Sequence, residues 1–151
     1  MFRGTYEHAI DAKGRTSFPS KFRELLAAED SSKLMITTSL DAPCLVAYPM
    51  RAWTAFEERL KLLPQFDKAV INLKRTYVAS AQDQDLDAVG RLLIPPMLRE
   101  HAKLKRDVIW AGNVTYVELW DKESFHAARR AITESAEERA EMAQRLAELG
   151  L

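Results

Sequence analysis

Asp11-Ala-Lys-Gly14-Arg15-Thr-Ser-Phe-Pro19-Ser-Lys-Phe-Arg23-Glu24 and, 76 positions later, Asp87-Ala-Val-Gly90-Arg91-Leu-Leu-Ile-Pro95-Pro-Met-Leu-Arg99-Glu100 are two versions of one segment. Asp, Ala, Gly, Arg, Pro, Arg and Glu return at the same offsets, so the chain is a tandem pair. Asp11-x-x-Gly14 and Asp87-x-x-Gly90 are turn chemistry: Asp bonds its own backbone two residues on, and Gly accepts the positive φ of a tight reversal. Short apolar runs flank each turn, His8–Ile10 and Thr16–Phe18 in the first copy, Leu86 and Leu92–Ile94 in the second. The pattern predicts a hairpin in each copy, with the arginine after the glycine at its tip. Pro19 and Pro95 end the second strand, because proline cannot donate to a ladder. A short helix is expected after each, carrying Phe22, Leu25 and Leu26 or Leu98 and Ala102.

Working outward, Leu34–Thr38 and Cys44–Tyr48 read as strands turned by Asp41-Ala-Pro43. Val108–Ala111 and Tyr116–Trp120, turned by Gly112-Asn113, are their counterparts. Two helices are expected between the copies. Trp53, Phe56, Leu60 and Leu63 line one, and Phe66, Val70, Leu73 and Tyr77 line the other after an interruption at Pro64. Asp121 is placed to cap a helix carrying Phe125, Ala128 and Ile132. Ser135-x-x-Glu138 resembles a capping box that restarts a helix, whose seam of Met142, Ala143, Leu146 and Leu149 fits either its own domain or a neighbouring subunit.

The opening Met1-Phe-Arg-Gly4, both Asp-x-x-Gly-Arg turns, Leu92–Pro95, Asp107–Gly112 and Val117–Trp120 together resemble the MraZ family of bacterial transcriptional regulators. The likeness spans nearly the whole chain and is weakest in the last fifteen or so residues. It implies an α+β fold of tandem AbrB-type swapped-hairpin β-barrel repeats with pseudo-two-fold symmetry and packed helices. The expected organisation is a first repeat over residues 5–51, a helical linker over 52–80, a second repeat over 81–124 and a helical tail over 125–151. The resemblance further implies homo-oligomeric rings that bind short repeated motifs in double-stranded DNA, upstream of the division and cell-wall gene cluster and of the protein's own gene.

Composition bounds these expectations. A chain of 151 residues is within the range of one compact unit, and each half of about 45 residues would struggle to bury a core alone. No long apolar run or basic-then-apolar leader occurs, which fits a cytoplasmic, nucleoid-associated protein and no membrane. The lone Cys44 suits a reducing compartment. Net charge is zero, which by itself argues against a nucleic-acid partner. The charges are segregated, however. Arg3, Lys13, Arg15, Lys21 and Arg23 face only Glu7 and Asp11 over residues 1–23, and Arg91, Arg99, Lys103, Lys105 and Arg106 face only Glu100 over residues 90–106. A neutral total therefore permits a basic face.

The candidate DNA-binding residues follow. Arg15 and Arg91 occupy equivalent tips, where a guanidinium can fork onto a phosphate or onto guanine O6 and N7. The resemblance adds that the first turn belongs to the DNA-contacting surface, so Arg15 and Lys13 lead. Lys13 is matched by Val89, which weakens the second turn for DNA or frees it for assembly. Asp11 and Asp87, with Gly14 and Gly90, are turn-structuring, each Asp orienting its turn or pairing with its own arginine. Arg23 and Arg99 fit structural pairing or phosphate contact, and Arg3 fits DNA contact or an interface. His8, His101 and His126 lack metal-type spacing, and no phosphate loop or nucleophile elbow is present, so no enzyme, metal, cofactor or small-molecule ligand is expected. The alternative is a non-enzymatic scaffold whose basic turns bind an acidic protein partner.

Overall fold

The two Asp-x-x-Gly segments form closely matched turns, and their flanking strands tie the two copies together. The structure is a computed structural model describing residues 1–29 and 31–151. It divides into one unit over Met1–Asp121 and another over Lys122–Leu151. The first is α+β, with eight strands: β1 (Thr5–Ala9), β2 (Arg15–Ser17), β3 (Lys33–Thr38), β4 (Leu45–Pro49), β5 (Gln82–Asp85), β6 (Arg91–Leu93), β7 (Asp107–Asn113) and β8 (Tyr116–Asp121). A six-stranded antiparallel sheet runs β1-β7-β8-β4-β3-β5, and β2 pairs with β6 in a separate ribbon.

Strand pairing corrects the expectation of two local hairpins. In the first copy the strands beside the turn meet only at an isolated bridge, Ile10↔Thr16. Their ladders lie in the other copy: Thr5–Ala9 pairs with Asp107–Ala111, Lys33–Ile36 with Gln82–Asp85, and Arg15↔Leu93 through Ser17↔Arg91 joins β2 to β6. The physical reason is size, since an isolated two-stranded hairpin is marginal in water. The sheet edges are the polar strands Thr-Tyr-Glu-His-Ala and Gln-Asp-Gln-Asp. Charges there discourage edge-to-edge pairing with other chains.

One core serves both copies. Phe18, Phe22 and Leu34 from the first and Leu92, Ile94, Leu98 and Trp110 from the second are all buried in one cluster. The Trp110 ring meets Phe18 edge-on at 5.1 Å, and its Nε1 donates to the Ser17 carbonyl at 3.1 Å. Full burial of such side chains contributes about 1.5–3 kcal/mol each, so no single contact dominates.

Prolines set three helix starts. Pro19 precedes α1 (Ser20–Ala27), Pro49 precedes α2 (Met50–Lys61), and Pro95 precedes α4 (Pro96–His101). Between them, Asp67 caps α3 (Lys68–Leu73) by accepting from the Ala69 N–H at 2.8 Å. A π-helical turn, Lys74–Val78, extends α3. Its end carbonyls at Thr76 and Tyr77 accept from the Thr38 and Thr37 hydroxyls, satisfying groups that a helix terminus leaves open. Trp53 and Leu60 are buried as the spacing predicts, but Leu63 and Phe66 are not helical. Proline disfavours helical geometry at the residue before it, so Pro64 excludes Leu63, and Phe66 stands 95% exposed.

In the second unit, α5 (Lys122–Thr133) is followed by α6 (Ala136–Glu148). Ser135 separates them, its hydroxyl accepting from the Glu138 N–H, which is one half of the capping box; its own N–H donates to the Ile132 carbonyl at 3.3 Å. The Arg129 guanidinium lies 5.7 Å from the centre of the Phe125 ring. Met142 and Leu149 on the α6 seam are exposed. Asp121 is the last residue of β8 and directly precedes α5, and its Oδ1 accepts from the Lys105 N–H at 3.3 Å.

Candidate nucleic-acid interface

Each turn is built around its aspartate. The Gly14 N–H donates to the Asp11 carbonyl at 2.9 Å, and the Asp11 N–H donates to the Arg15 carbonyl at 2.9 Å. Asp at the first position, Gly at the fourth and φ of +85° at Gly14 make a type I turn closed by a left-handed glycine. Asp11 Oδ1 accepts from the backbone N–H groups of Lys13 and Arg15, both at 2.9 Å, and Oδ2 accepts from Arg15 Nε at 2.9 Å. Asp87 repeats all three bonds to Val89 and Arg91 at 3.0, 2.8 and 2.8 Å. The Arg15 N–H, then the Arg15 side chain and the Lys13 N–H, hold the Asp11 carboxyl below its ordinary range. Asp87 is lowered in the same way by Arg91 and Val89. Both carboxylates stay ionised at neutral pH.

This geometry does two things to the arginines. It lays each one back along its own turn, so Arg15 is half-buried instead of standing off the tip. It also engages Nε alone, which leaves the terminal nitrogens of both Arg15 and Arg91 without a partner among the described residues. An arginine fixed at Nε presents its remaining fork in a set direction.

The turns are then gripped across the repeat boundary. The Phe18 N–H donates to the Gly90 carbonyl at 2.9 Å, and the Ile94 N–H to the Gly14 carbonyl at 2.8 Å. Arg23 from α1 donates to the Val89 carbonyl at 3.0 Å and packs so closely on Gly90 that a Cβ there would collide with its guanidinium. Arg99 from α4 packs on the first turn in the same way: a Cβ on Gly14 would lie 2.8 Å from its Cζ. Each copy thus supplies an arginine that packs against the other copy's turn.

The ribbon brings the remaining pair together. Thr16 and Leu92 point inward and are buried, which turns Arg15, Ser17, Arg91 and Leu93 to the other face. Arg15 sits opposite Leu93 and Arg91 opposite Ser17, so the arginines are diagonal neighbours, about 7–8 Å apart along the backbone and somewhat closer at Cβ. A family model of MraZ proteins, described as antitoxin-like, matches residues 1–76 and 78–146. The chain belongs to the MraZ family.

Relatives of this MraZ-family chain carry the name Transcriptional regulator MraZ. The protein of Caldanaerobacter subterraneus subsp. tengcongensis is 43% identical over 141 residues, covering 93% of this chain and 95% of its own. That of Pseudomonas fluorescens is 37% identical over 131 residues, 87% of each chain. That of Legionella pneumophila is 38% identical over 129 residues, 85% of each.

Within this MraZ-family fold Lys13 is exposed on the first turn beside Arg15. Arg3 is separated from them. It is exposed next to the Phe2↔Val114 bridge, at the far end of β1, whose five residues span roughly 16 Å. Sequence reasoning missed the partners of Arg23 and Arg99, and no local signal could name them. Among the described residues no group of His, Cys, Asp and Glu is placed to hold a metal, and no helix is long and apolar enough to cross a membrane.

Proposed function

We propose that this protein is a sequence-specific, non-enzymatic DNA-binding transcriptional regulator. The observation that carries the reading is the outward face of the β2–β6 ribbon, with Arg15 and Arg91 diagonal to one another and their forks available. A two-stranded ribbon fits the major groove of B-DNA, and a separation of about 7–8 Å matches roughly two base-pair steps. Lys13 adds charge at the rim, while Asp11 and Asp87 set the direction of the forks. The cross-copy pairing of β1 with β7 and β3 with β5 supports the swapped-hairpin AbrB-type reading, with repeats over 5–51 and 81–124 and helical segments over 52–80 and 125–151.

One ribbon covers only a few base pairs, so useful affinity requires several. Ring-like homo-oligomers supply them, and short repeated motifs are bound together because the second contact enjoys a high effective concentration. The expected targets are the repeats upstream of the division and cell-wall gene cluster and of the protein's own gene, with repression as the outcome and the nucleoid as the site of action.

A salt titration with a repeat-bearing duplex, a scrambled duplex and an Arg15→Ala protein tests this reading. Steep, sequence-selective binding that disappears in the variant is expected. Full affinity in a correctly assembled Arg15→Ala protein refutes the site. Binding to neither duplex transfers the basic turns to an acidic protein partner.

A further inference from the structure

The two turns are near copies in geometry but not in surroundings. Beside the first lies an open cavity of about 610 Å³, lined by Ile10, Asp11, Arg99, Leu104, Lys105 and Arg106 among others. It exists because the copies are interleaved: β1 pairs with β7, and the Ile10 N–H donates to the Arg106 carbonyl at 2.8 Å. The basic segment reaches it through a tight helix end. The Lys103 N–H donates to the Glu100 carbonyl and the Leu104 N–H to the Arg99 carbonyl, with Lys103 itself at φ +52°. This is a Schellman cap, in which glycine ordinarily takes the left-handed position. Lysine occupies it here, a backbone cost accepted next to the cavity.

Three cations therefore border one depression, and the Asp11 carboxylate on its lining is already committed to the Arg15 Nε and two backbone N–H groups. Arg99 Nε is buried and has no hydrogen-bond partner among the described residues. The second turn lacks these cations: its Leu86 N–H donates to the Ser32 carbonyl at 2.8 Å as Ile10 does to Arg106, so Ser31 and Ser32 stand where Lys105 and Arg106 stand beside the first turn, and Asp85 takes the place of Ala9. The nearby Lys33 is tied to Asp83 at 2.9 Å and to Asp85 at 3.7 Å.

Building on the DNA-binding reading above, we infer that the cavity beside the first turn is a subsite for a DNA backbone phosphate, with Lys105 and Arg106 of the second copy completing the first copy's turn. The second turn has no such subsite. DNA on the ribbon is then anchored at one edge, and the two halves of a pseudo-symmetric reader are inequivalent. Phosphate contacts position and do not specify, so this subsite raises affinity for every sequence alike.

The test is a salt titration of the full-length Lys105→Gln/Arg106→Gln protein on the repeat-bearing and scrambled duplexes. Both side chains are exposed, and an unchanged melting curve checks the fold. Losing one phosphate makes the log–log slope shallower by about 0.9, which is about fivefold in affinity at 0.15 M salt, equally on both duplexes. A Lys61→Gln/Lys68→Gln control removes two charges from α2 and α3 and leaves the slope unchanged. A wild-type slope in the Lys105/Arg106 variant, or a loss matched by the control, overturns the subsite while the DNA reading stands. Salt-insensitive wild-type protein overturns both. Replacing chloride by inorganic phosphate at constant ionic strength adds one arm: millimolar competition abolished by the double variant assigns the cavity to free phosphate and refutes the backbone assignment.

Discussion

Gly14 and Gly90 share a conformation, with φ of +85° and +81°, yet alanine at the two positions has unequal consequences. Both substitutions carry the left-handed penalty of a residue with a Cβ, about 1–2 kcal/mol. At Gly90 each of the nearest atoms a Cβ would meet belongs to the Arg23 side chain, which can swing aside. The further loss is its bond to the Val89 carbonyl, about 1 kcal/mol. At Gly14 the Cβ would sit 2.9 Å from the Ile94 carbonyl oxygen as well as against Arg99. That oxygen belongs to backbone locked beside the turn by the Ile94 N–H bond to Gly14, so β6 itself must move. Overpacking of this kind costs about 1–3 kcal/mol. The totals are about 2–3 kcal/mol for Gly90→Ala and about 2–5 kcal/mol for Gly14→Ala, read as unfolding free energies in urea. Second-site variants separate the causes. Arg23→Ala in the Gly90→Ala background costs little more, because its contact is already lost, whereas Arg99→Ala does not rescue Gly14→Ala. Equal losses, or rescue of Gly14→Ala by removal of Arg99, refute the claim that backbone crowding distinguishes the turns.

Three other outcomes are expected. Thr16 is buried on the inner side of the ribbon with its hydroxyl unpartnered, so Thr16→Val raises stability by about 1 kcal/mol in a denaturant titration. Burial and then the nearby Arg23 lower the pKa of His8 from its usual 6.5. The unfolded chain therefore takes up the proton first, stability falls as pH drops below about 6.5, and His8→Gln removes that part of the slope in urea melts at stepped pH. Burial pushes the Cys44 thiol up to about 12, so it reacts with a thiol reagent only at the rate of unfolding.

What the sequence reveals here is what is local. The turns, the proline-started helices, the arginine after each glycine and the four longer strands all follow from residues within a few positions of one another. The aspartate reading also holds in both of its parts, since one carboxylate orients the turn and pairs with its arginine. Partner choice is not local. Nothing near Arg23 announces the Val89 carbonyl 66 residues away, and nothing near Lys105 announces Ile10. The helix pattern through Leu63 and Phe66 misled for a related reason: apolar spacing counts residues without sensing the conformational veto of Pro64.

The pairing of the first strand with β7 sets an order of events at the ribosome. Thr5–Ala9 is made early, but its partner Asp107–Ala111 emerges about a hundred residues later, roughly 5–20 s at ordinary synthesis rates. Throughout that interval the strand waits with its ladder unfilled. Its composition suits the wait: Glu7 and His8 keep Thr-Tyr-Glu-His-Ala from being an adhesive apolar strip on nascent chains crowded along one message. The late arrival of β7 then makes completion of the sheet a post-synthetic step, so that a chain stalled before residue 107 cannot finish either copy.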